Sequence, residues 1–470
     1  MRRSKKKPIV ERLEIINIAA EGKAIGKIEG KVIFVPGVIP GDIVDVELHR
    51  NKKSHAEGVV LKFHQLSDNR IEPECEHFGV CGGCKWQQLP YASQIAYKHQ
   101  QVLDQFTRIG HIEIETVRPI LGSASTYNYR NKLEFTFSDK RWLTKEEINT
   151  QDEFSERRAL GFHIPKLFDK VIDVQKCHLQ GGISNDIRNA IRTFCFENDY
   201  TFFNIKEQHG MMRNLIIRNT MDDQWMVIVS FFENNPTKIN ALMQHLKDHF
   251  PQITSLQYVV NEKRNDTILD QDIIVFNGQD HIVERMENLQ FKVGPKSFYQ
   301  TNAPQAYELY KITRDFAQLK GDETVYDLYT GTGTIALFVS QQCKKVVGIE
   351  YVEEAIIDAK NNAQLNHIDN ASFFAGDMKD VLNDSFIAEH GRPDVIIVDP
   401  PRAGMHADVV DTILKAAPKR IVYVSCNPAT QARDIALLNE AYQTKTIQPV
   451  DMFPHTHHVE NVALLELRKD

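Results

Sequence analysis

Late in the sequence, Val424-Ser425-Cys426-Asn427-Pro428 ends an apolar run on a cysteine set in a polar turn. A thiolate placed there can serve as a nucleophile, provided neighbouring donors or a cation bring its pKa down from the free value of roughly 8.5. A buried structural thiol is the commoner fate of cysteine, and Cys195 and Cys343 are assigned to it. A second apolar run ends in Val398-Asp399-Pro400-Pro401-Arg402. The prolines stiffen that turn and remove amide donors, so the Asp399 carboxylate is held toward a fixed point, while Arg402 offers a cation to a thiolate. A third element, His458-Val459-Glu460-Asn461, leads into the apolar strand Val462 to Leu467. Alone, Glu460 reads as a surface carboxylate; beside a nucleophile it is a candidate proton acceptor. His455, His457 and His458 have no acidic or cysteine partner spaced to complete a metal site.

A fourth run, Val325 to Thr334, passes from a strand through Asp327-Leu-Tyr329-Thr-Gly331-Thr-Gly333-Thr334 into a helix. Glycines there let backbone amides approach a ligand closely. The turn lacks the third glycine of a pyrophosphate-binding fingerprint. Glu350 closes the next strand about 20 residues on, where a carboxylate can accept both hydroxyls of a ribose. Asp377, in Gly-Asp-Met after the third strand, is placed either to meet an adenine edge or to cap a helix. Together these residues favour S-adenosylmethionine over a dinucleotide.

The elements that carry them follow a βαβ rhythm from about Phe291. Strands are predicted at Thr324 to Asp327, Lys345 to Glu350, Asp394 to Asp399 and Arg420 to Ser425, with helices at Ile335 to Gln341, Glu353 to Asn366 and Val409 to Ala417. This pattern predicts an α/β fold with a doubly wound sheet over 291–470, which binds ligands at the carboxyl ends of its strands. Residues 65–290 read as a central α+β domain on an antiparallel sheet, with an amphipathic helix near 91–109 that can pack on the following domain. Residues 8–64 hold five short β-rich runs broken by Gly and Pro, the pattern of a small β-barrel behind a basic tail.

Residues 1–64 carry 13 Lys/Arg against 8 Asp/Glu, in a chain whose net charge is −7. A basic module therefore sits on an acidic body, and Lys23, Lys27, Lys31, Arg50, Lys52 and Lys53 are available to phosphates. A 470-residue chain with 42% hydrophobic and 25% charged residues is not a disordered one. No run approaches the ~20 apolar residues of a membrane helix. Seven cysteines are too few for a disulfide framework, so a cytoplasmic protein with reduced thiols is expected. Four of them, Cys75-x5-Cys81-x2-Cys84 with a distant Cys177, could hold zinc or an iron–sulfur cluster, and spacing alone does not choose. His77 or His178 could replace Cys177 in a zinc site.

The ordered set Ser-Phe298-Tyr-Gln300-Thr-Asn302, Asp327-Leu-Tyr-Thr-Gly-Thr-Gly, Asp399-Pro-Pro-Arg402, Ser425-Cys426-Asn427-Pro428 and His458-Val-Glu460-Asn461 resembles the RNA uracil-5-methyltransferase family. Residues 8–64, with Glu21-Gly-Lys-Ala-Ile-Gly and Val35-Pro-Gly-Val-Ile-Pro-Gly-Asp42, look like the RNA-binding barrel called a TRAM domain. The resemblance implies a class I methyltransferase sheet and methyl transfer from S-adenosylmethionine to carbon 5 of a uridine in RNA. It favours 23S rRNA over tRNA, and a monomer is expected. It implies that Cys426 adds to carbon 6 of the base and that Glu460 removes the carbon 5 proton. Asp399 would contact the pyrimidine or the cofactor, and Gln300, Tyr329, Gly331, Thr334, Glu350 and Asp377 would line the cofactor pocket. It also implies a [4Fe-4S] cluster on Cys75, Cys81, Cys84 and Cys177. Tyr329 and Thr330 depart from the phenylalanine and cysteine frequent in the family, and Thr334 from its asparagine. Exocyclic-amine methyltransferases share the fold, but put an aromatic ring where Arg402 stands and need no cysteine. In DNA cytosine-5 enzymes the cysteine lies on the loop after strand four rather than strand five.

Overall fold

The computed structural model describes residues 7–149 and 156–469. Most of the basic tail lies outside them. The first five strands, β1 (Ile9–Ile18), β2 (Ala24–Ile28), β3 (Lys31–Val35), β4 (Ile43–Asn51) and β5 (His55–Gln65), close into a barrel ordered β1-β2-β3-β5-β4. Period-two alternation fills it: Val44, Val46 and Leu48 of β4 point inward with Leu13, Ile15, Ile33 and Val35. The knuckle bearing Cys75, Cys81 and Cys84 follows, then the helix Tyr91–Gln105, which closes in a π-helical turn, Phe106–Gly110.

β6 (Ile114–Val117) does not join the sheet that comes next in sequence. That sheet has seven strands: β7 (Lys132–Ser138), β8 (Ala159–Ile164), β9 (Leu167–Asp173), β10 (Met212–Asn219), β11 (Trp225–Phe231), β12 (Ile253–Val260) and β13 (Ile274–Gly278), in the order β13-β12-β11-β10-β7-β8-β9. β10 and β11 are buried along nearly their whole length because both faces are covered, and β11 is apolar except at Ser230. Leu215, Ile217, Val227 and Val229 pack under the helices Ser184–Glu197 and Pro236–His249. Ile216, Met226 and Ile228 face the other way, into the core of the C-terminal domain.

A hairpin, β14 (Ile282–Met286) and β15 (Leu289–Val293), leads to the C-terminal sheet. Its strands are β16 (Thr324–Leu328), β17 (Lys345–Glu350), β18 (Ala371–Ala375), β19 (Val395–Val398), β20 (Arg420–Ser425), β21 (Tyr442–Val450) and β22 (Glu460–Leu467). The order is β18-β17-β16-β19-β20-β22-β21-β6, parallel from β18 to β20, with β22 antiparallel to both neighbours. This is the doubly wound sheet expected from the sequence, with an edge strand added from before the central sheet. β6 pairs with β21 in parallel, Ile114 beside Thr444.

Candidate active site and cofactor cradle

Register decides which side chains meet. Leu328 of β16 lies beside Ile349 of β17 and Val398 of β19, and Val398 lies beside Tyr423 of β20. The residues just past these rungs, Tyr329, Glu350 and Asp399, therefore emerge along one edge of the sheet, and Cys426 follows at the end of β20. β22 runs in the opposite sense and pairs Asn461 with Ser425. Its first residue, Glu460, stands one step beyond that pair, across from Cys426. Parallel strands thus deliver the cysteine, and an antiparallel one returns the carboxylate to it.

The turns around Cys426 are stapled together. Asn427 accepts from Ala429 N to cap the helix Pro428–Leu438, and its Nδ2 donates to Arg402 O at 2.9 Å. Thr430 Oγ1 donates to the same carbonyl at 3.3 Å. Buried Asp434 receives Met405 N at 2.8 Å and the Tyr423 hydroxyl at 2.7 Å. The Asp399–Arg402 turn and the Cys426 turn consequently move as one piece.

Burial dominates the charges here. It pushes the Glu460 carboxyl up to about 8, with Asp399 adding to the shift and Arg402 opposing it. Burial alone pushes Asp399 up to about 7. The half-buried Cys426 thiol is pushed up to about 11 by burial, then by Glu460 and Asp399, while Arg402 pulls it down. Arg402 acts in the direction the sequence suggests, but burial and the two carboxyls outweigh it. A bound sulfonium would add a second positive charge beside the thiol.

The cofactor cradle is built from the turn after β16. Gly331 has φ +56°, and a Cβ there would meet nothing within 4 Å. Gly333 has φ +79°, and a Cβ there would lie 3.0 Å from Ala359 Cβ and 3.1 Å from the Phe373 ring. The first glycine leaves room for a ligand and the second lets the turn pack. Glu350 Oε2 accepts Gly331 N at 3.1 Å and Oε1 accepts Val352 N at 3.0 Å. Thr334 is buried, its hydroxyl 3.3 Å from that of Thr332. Tyr329, at φ +64°, is half-buried against the apolar cluster under the sheet. Asp377 caps the short helix Met378–Val381, accepting Lys379 N at 3.3 Å, so the capping alternative is realised. Gln300 is half-buried in the segment before the helix Ala303–Ala317, its carbonyl held by Asn131 Nδ2 at 3.0 Å.

Asp327 opens the glycine-rich motif, and the sequence alone assigns it no role. It is fully buried, and its Oδ2 receives Thr330 Oγ1 at 2.5 Å and Ala336 N at 3.1 Å. Its Oδ1 has no partner, and burial pushes its pKa up to about 7. An orphaned acceptor beside an open glycine suits an ammonium donor, which S-adenosylmethionine carries. An acid one turn before Gly-x-Gly was the available signal.

The structure also reveals what carries Glu460. The loop between β21 and β22 is gripped by the helix Tyr91–Gln105. Lys98 Nζ bonds Asp451 Oδ1 at 2.6 Å, with both side chains fully buried, and Phe453 O at 3.1 Å. Tyr91 donates to Asp451 Oδ2 at 2.8 Å, and Gln94 exchanges bonds with His455. No local sequence signal links positions so far apart.

Cys75, Cys81, Cys84 and Cys177 are free, half-buried thiols. Cys81 and Cys177 pack on the same cluster of Ile164, Ile172 and Val174. Burial first, then mutual repulsion, pushes Cys81 up to about 11 and Cys84 up to about 12. Four thiols are the donor type a metal or cluster would take, with loss of their protons on binding. Among the described residues, no three His, Cys, Asp or Glu side chains lie close enough to hold a single metal ion. His77 Nε2 accepts Gln175 N at 3.2 Å.

The sheet order and the cradle define a class I S-adenosylmethionine-dependent methyltransferase. Residues 202–468 match the tRNA (uracil-5-)-methyltransferase family and residues 9–61 match the TRAM domain. The chain is 62% identical over 454 residues to an "uncharacterized RNA methyltransferase" of Bacteroides thetaiotaomicron, covering 96% of this chain and 100% of that one. It is 38% identical to another from Chlorobaculum tepidum, covering 99% and 97%. The tRNA (uracil-54, C5)-methyltransferase of Pyrococcus abyssi, solved with S-adenosyl-L-homocysteine, superposes with a TM-score of 0.75 at 29% identity, covering 97% and 100%. The chain belongs to the RNA uracil-5-methyltransferase family and is an S-adenosylmethionine-dependent RNA methyltransferase. Among the described residues, no helix is long and apolar enough to cross a membrane.

Proposed function

We propose that this enzyme methylates carbon 5 of a uridine in 23S rRNA through a covalent Cys426 adduct. The observation that carries the reading is the cross-strand placement of Cys426 opposite Glu460, beside the Gly331 cradle. Carbon 5 of uracil is a poor nucleophile. Addition of the Cys426 thiolate to carbon 6 makes the ring an enolate, whose carbon 5 attacks the electrophilic methyl that S-adenosylmethionine supplies when bound, the sulfur–methyl bond breaking with its electron pair staying on sulfur. Glu460 then takes the carbon 5 proton, and the electron pair left behind expels Cys426 and restores the ring. Asp399 contacts the pyrimidine or the cofactor from the neighbouring strand end. Gln300, Tyr329, Glu350, Thr334, Asp377 and the amides around Gly331 line the cofactor site. Asp327 Oδ1 accepts from the cofactor's ammonium. A stacked base cannot undergo this addition, so the uridine is unpaired or flipped out.

Mass mapping of 5-methyluridine in ribosomal and transfer RNA from a deletion strain tests this. The expected result is loss of a 5-methyluridine in 23S rRNA, restored by wild type and not by Cys426→Ala. Loss confined to tRNA would move the substrate to the class named for the Pyrococcus neighbour, and persistence of every 5-methyluridine would overturn the reaction.

Cys75, Cys81, Cys84 and Cys177 hold a [4Fe-4S] cluster in this reading, a role supported by the half-burial of all four and by the shared packing of Cys81 and Cys177. Anaerobically purified protein should contain about four iron and four sulfide per chain, and Cys84→Ser should lose them. Zinc in place of iron would sink that assignment.

A further inference from the structure

Three parts of the molecule meet just outside the reaction pocket. A Cβ on Gly22, in the barrel turn, would lie 3.2 Å from His457 Cβ and 3.2 Å from Lys85 Cδ. Lys85 and Trp86 both donate their amides to His455 O, at 2.8 and 3.1 Å, so the chain leaving Cys84 is fastened to the loop that delivers Glu460. The His457 and His458 rings lie 4.1 Å apart on that loop. Arg130 reaches in from the central domain, 5.3 Å above the Phe453 ring, and its Nε is buried with no partner. Arg402 is exposed on the turn after Asp399, within electrostatic reach of Cys426 and Glu460.

Cations outnumber carboxylates around this junction, where Glu21 acts on Lys85 and Glu460 on Arg402. Nearby buried or half-buried cations are paired: Lys23 with Glu57, Arg70 with Asp42, Lys98 with Asp451. Among the described residues, Lys85, Arg130 and Arg402 have no carboxylate within ion-pair distance. Lys85 Nζ reaches only Glu21 O, at 3.5 Å. The charged groups acting on His457 and His458 are all cations.

We propose that Lys85, Arg130 and Arg402, set around the adjacent His457 and His458 rings, form the seat for the RNA backbone phosphates that flank the target uridine. The seat joins the barrel to the reaction pocket, so a strand lying on the barrel passes over it before its uridine enters. The phosphates supply anions within ion-pair distance, and the neutral imidazoles offer flat faces to a neighbouring base. The proposal rests on the reading that the substrate is RNA.

The test uses iron-loaded full-length protein and a fluorescent oligouridine, with affinity measured across a series of KCl concentrations. Lys85→Gln and Arg130→Gln should each weaken binding and make the slope of log affinity against log salt shallower by about 0.7, one single-strand phosphate contact. Lys85→Arg and Arg130→Lys should keep the wild-type slope, and Lys247→Gln, exposed on the helix Pro236–His249, should leave affinity unchanged. S-adenosylmethionine affinity and iron content are recorded for each variant. A slope unchanged in both glutamine variants overturns the seat while wild-type methyl transfer stands. An unchanged slope with iron lost assigns the two cations to the cysteine knuckle instead, which also overturns it. Absence of methyl transfer by the wild type to any RNA would strike the underlying reading.

Discussion

At the scale of single residues, the site is poised against ionisation. Glu460 must be a carboxylate to take a proton and Cys426 a thiolate to add to the ring, yet burial pushes the first to about 8 and the second to about 11. The carboxylate and the thiolate disfavour each other, because each is a negative charge in the same poorly hydrated pocket. Glu460→Gln removes one of those charges, so the Cys426 pKa should fall. The alkylation rate of Cys426 by iodoacetamide, followed from pH 7 to 11 in a variant whose other thiols are blocked, should show its inflection at lower pH than wild type. Arg402→Gln should move it the other way. An inflection that ignores both changes would remove the electrostatic coupling on which the paired mechanism depends.

At the scale of elements, the helix Tyr91–Gln105 and the β21–β22 loop form a unit whose centre is the Lys98–Asp451 pair, both side chains fully buried. Such a pair is costly to bury but more costly to break, because removing one partner strands the other charge. Lys98→Met should destabilise the protein by about 3–5 kcal/mol in chemical unfolding. Lys98→Met combined with Asp451→Leu should recover most of that loss, since no charge is then left unpaired. A double variant no more stable than the single one would show that packing rather than charge governs the contact. The helix was legible in the sequence as an amphipathic run. Its grip on the Glu460 loop was not, because amphipathic spacing shows which face is buried and not what buries it. β6 escaped for a related reason: four residues, Ile-Glu-Thr-Val, gain their strand identity only from β21 far along the chain.

At the scale of the whole molecule, several buried carboxyls titrate far above their ordinary range: Asp327, Asp399 and Glu284 at about 7, and Glu460 at about 8. In the unfolded chain such groups titrate near ~4, so between ~4 and about 8 the folded state holds more protons than the unfolded one. Stability from these groups therefore falls as pH rises through that window and levels off above it. Buried His455, His457 and His458, pushed down to about 4, about 3 and about 4, act the other way below pH ~7, so urea midpoints should decline only from pH ~7 to pH ~8 and flatten beyond, and Glu460→Gln should make that decline shallower; a midpoint that climbs across this window would contradict the burial of these acids. The sequence by itself determined the order of the parts: a barrel, a cysteine knuckle, an α/β sheet and the strand ends that carry Asp399, Cys426 and Glu460. Those depend on local periodicity and on residue types within a few positions of one another, which a sequence states directly. Only the tertiary structure decided that β22 runs backward to set Glu460 across from Cys426, that Asp327 keeps an unpaired oxygen, and that Lys85, Arg130 and Arg402 gather around His458 with no carboxylate among the described residues in ion-pair distance. Each of these is a relation between residues far apart in the chain, created by strand direction and packing.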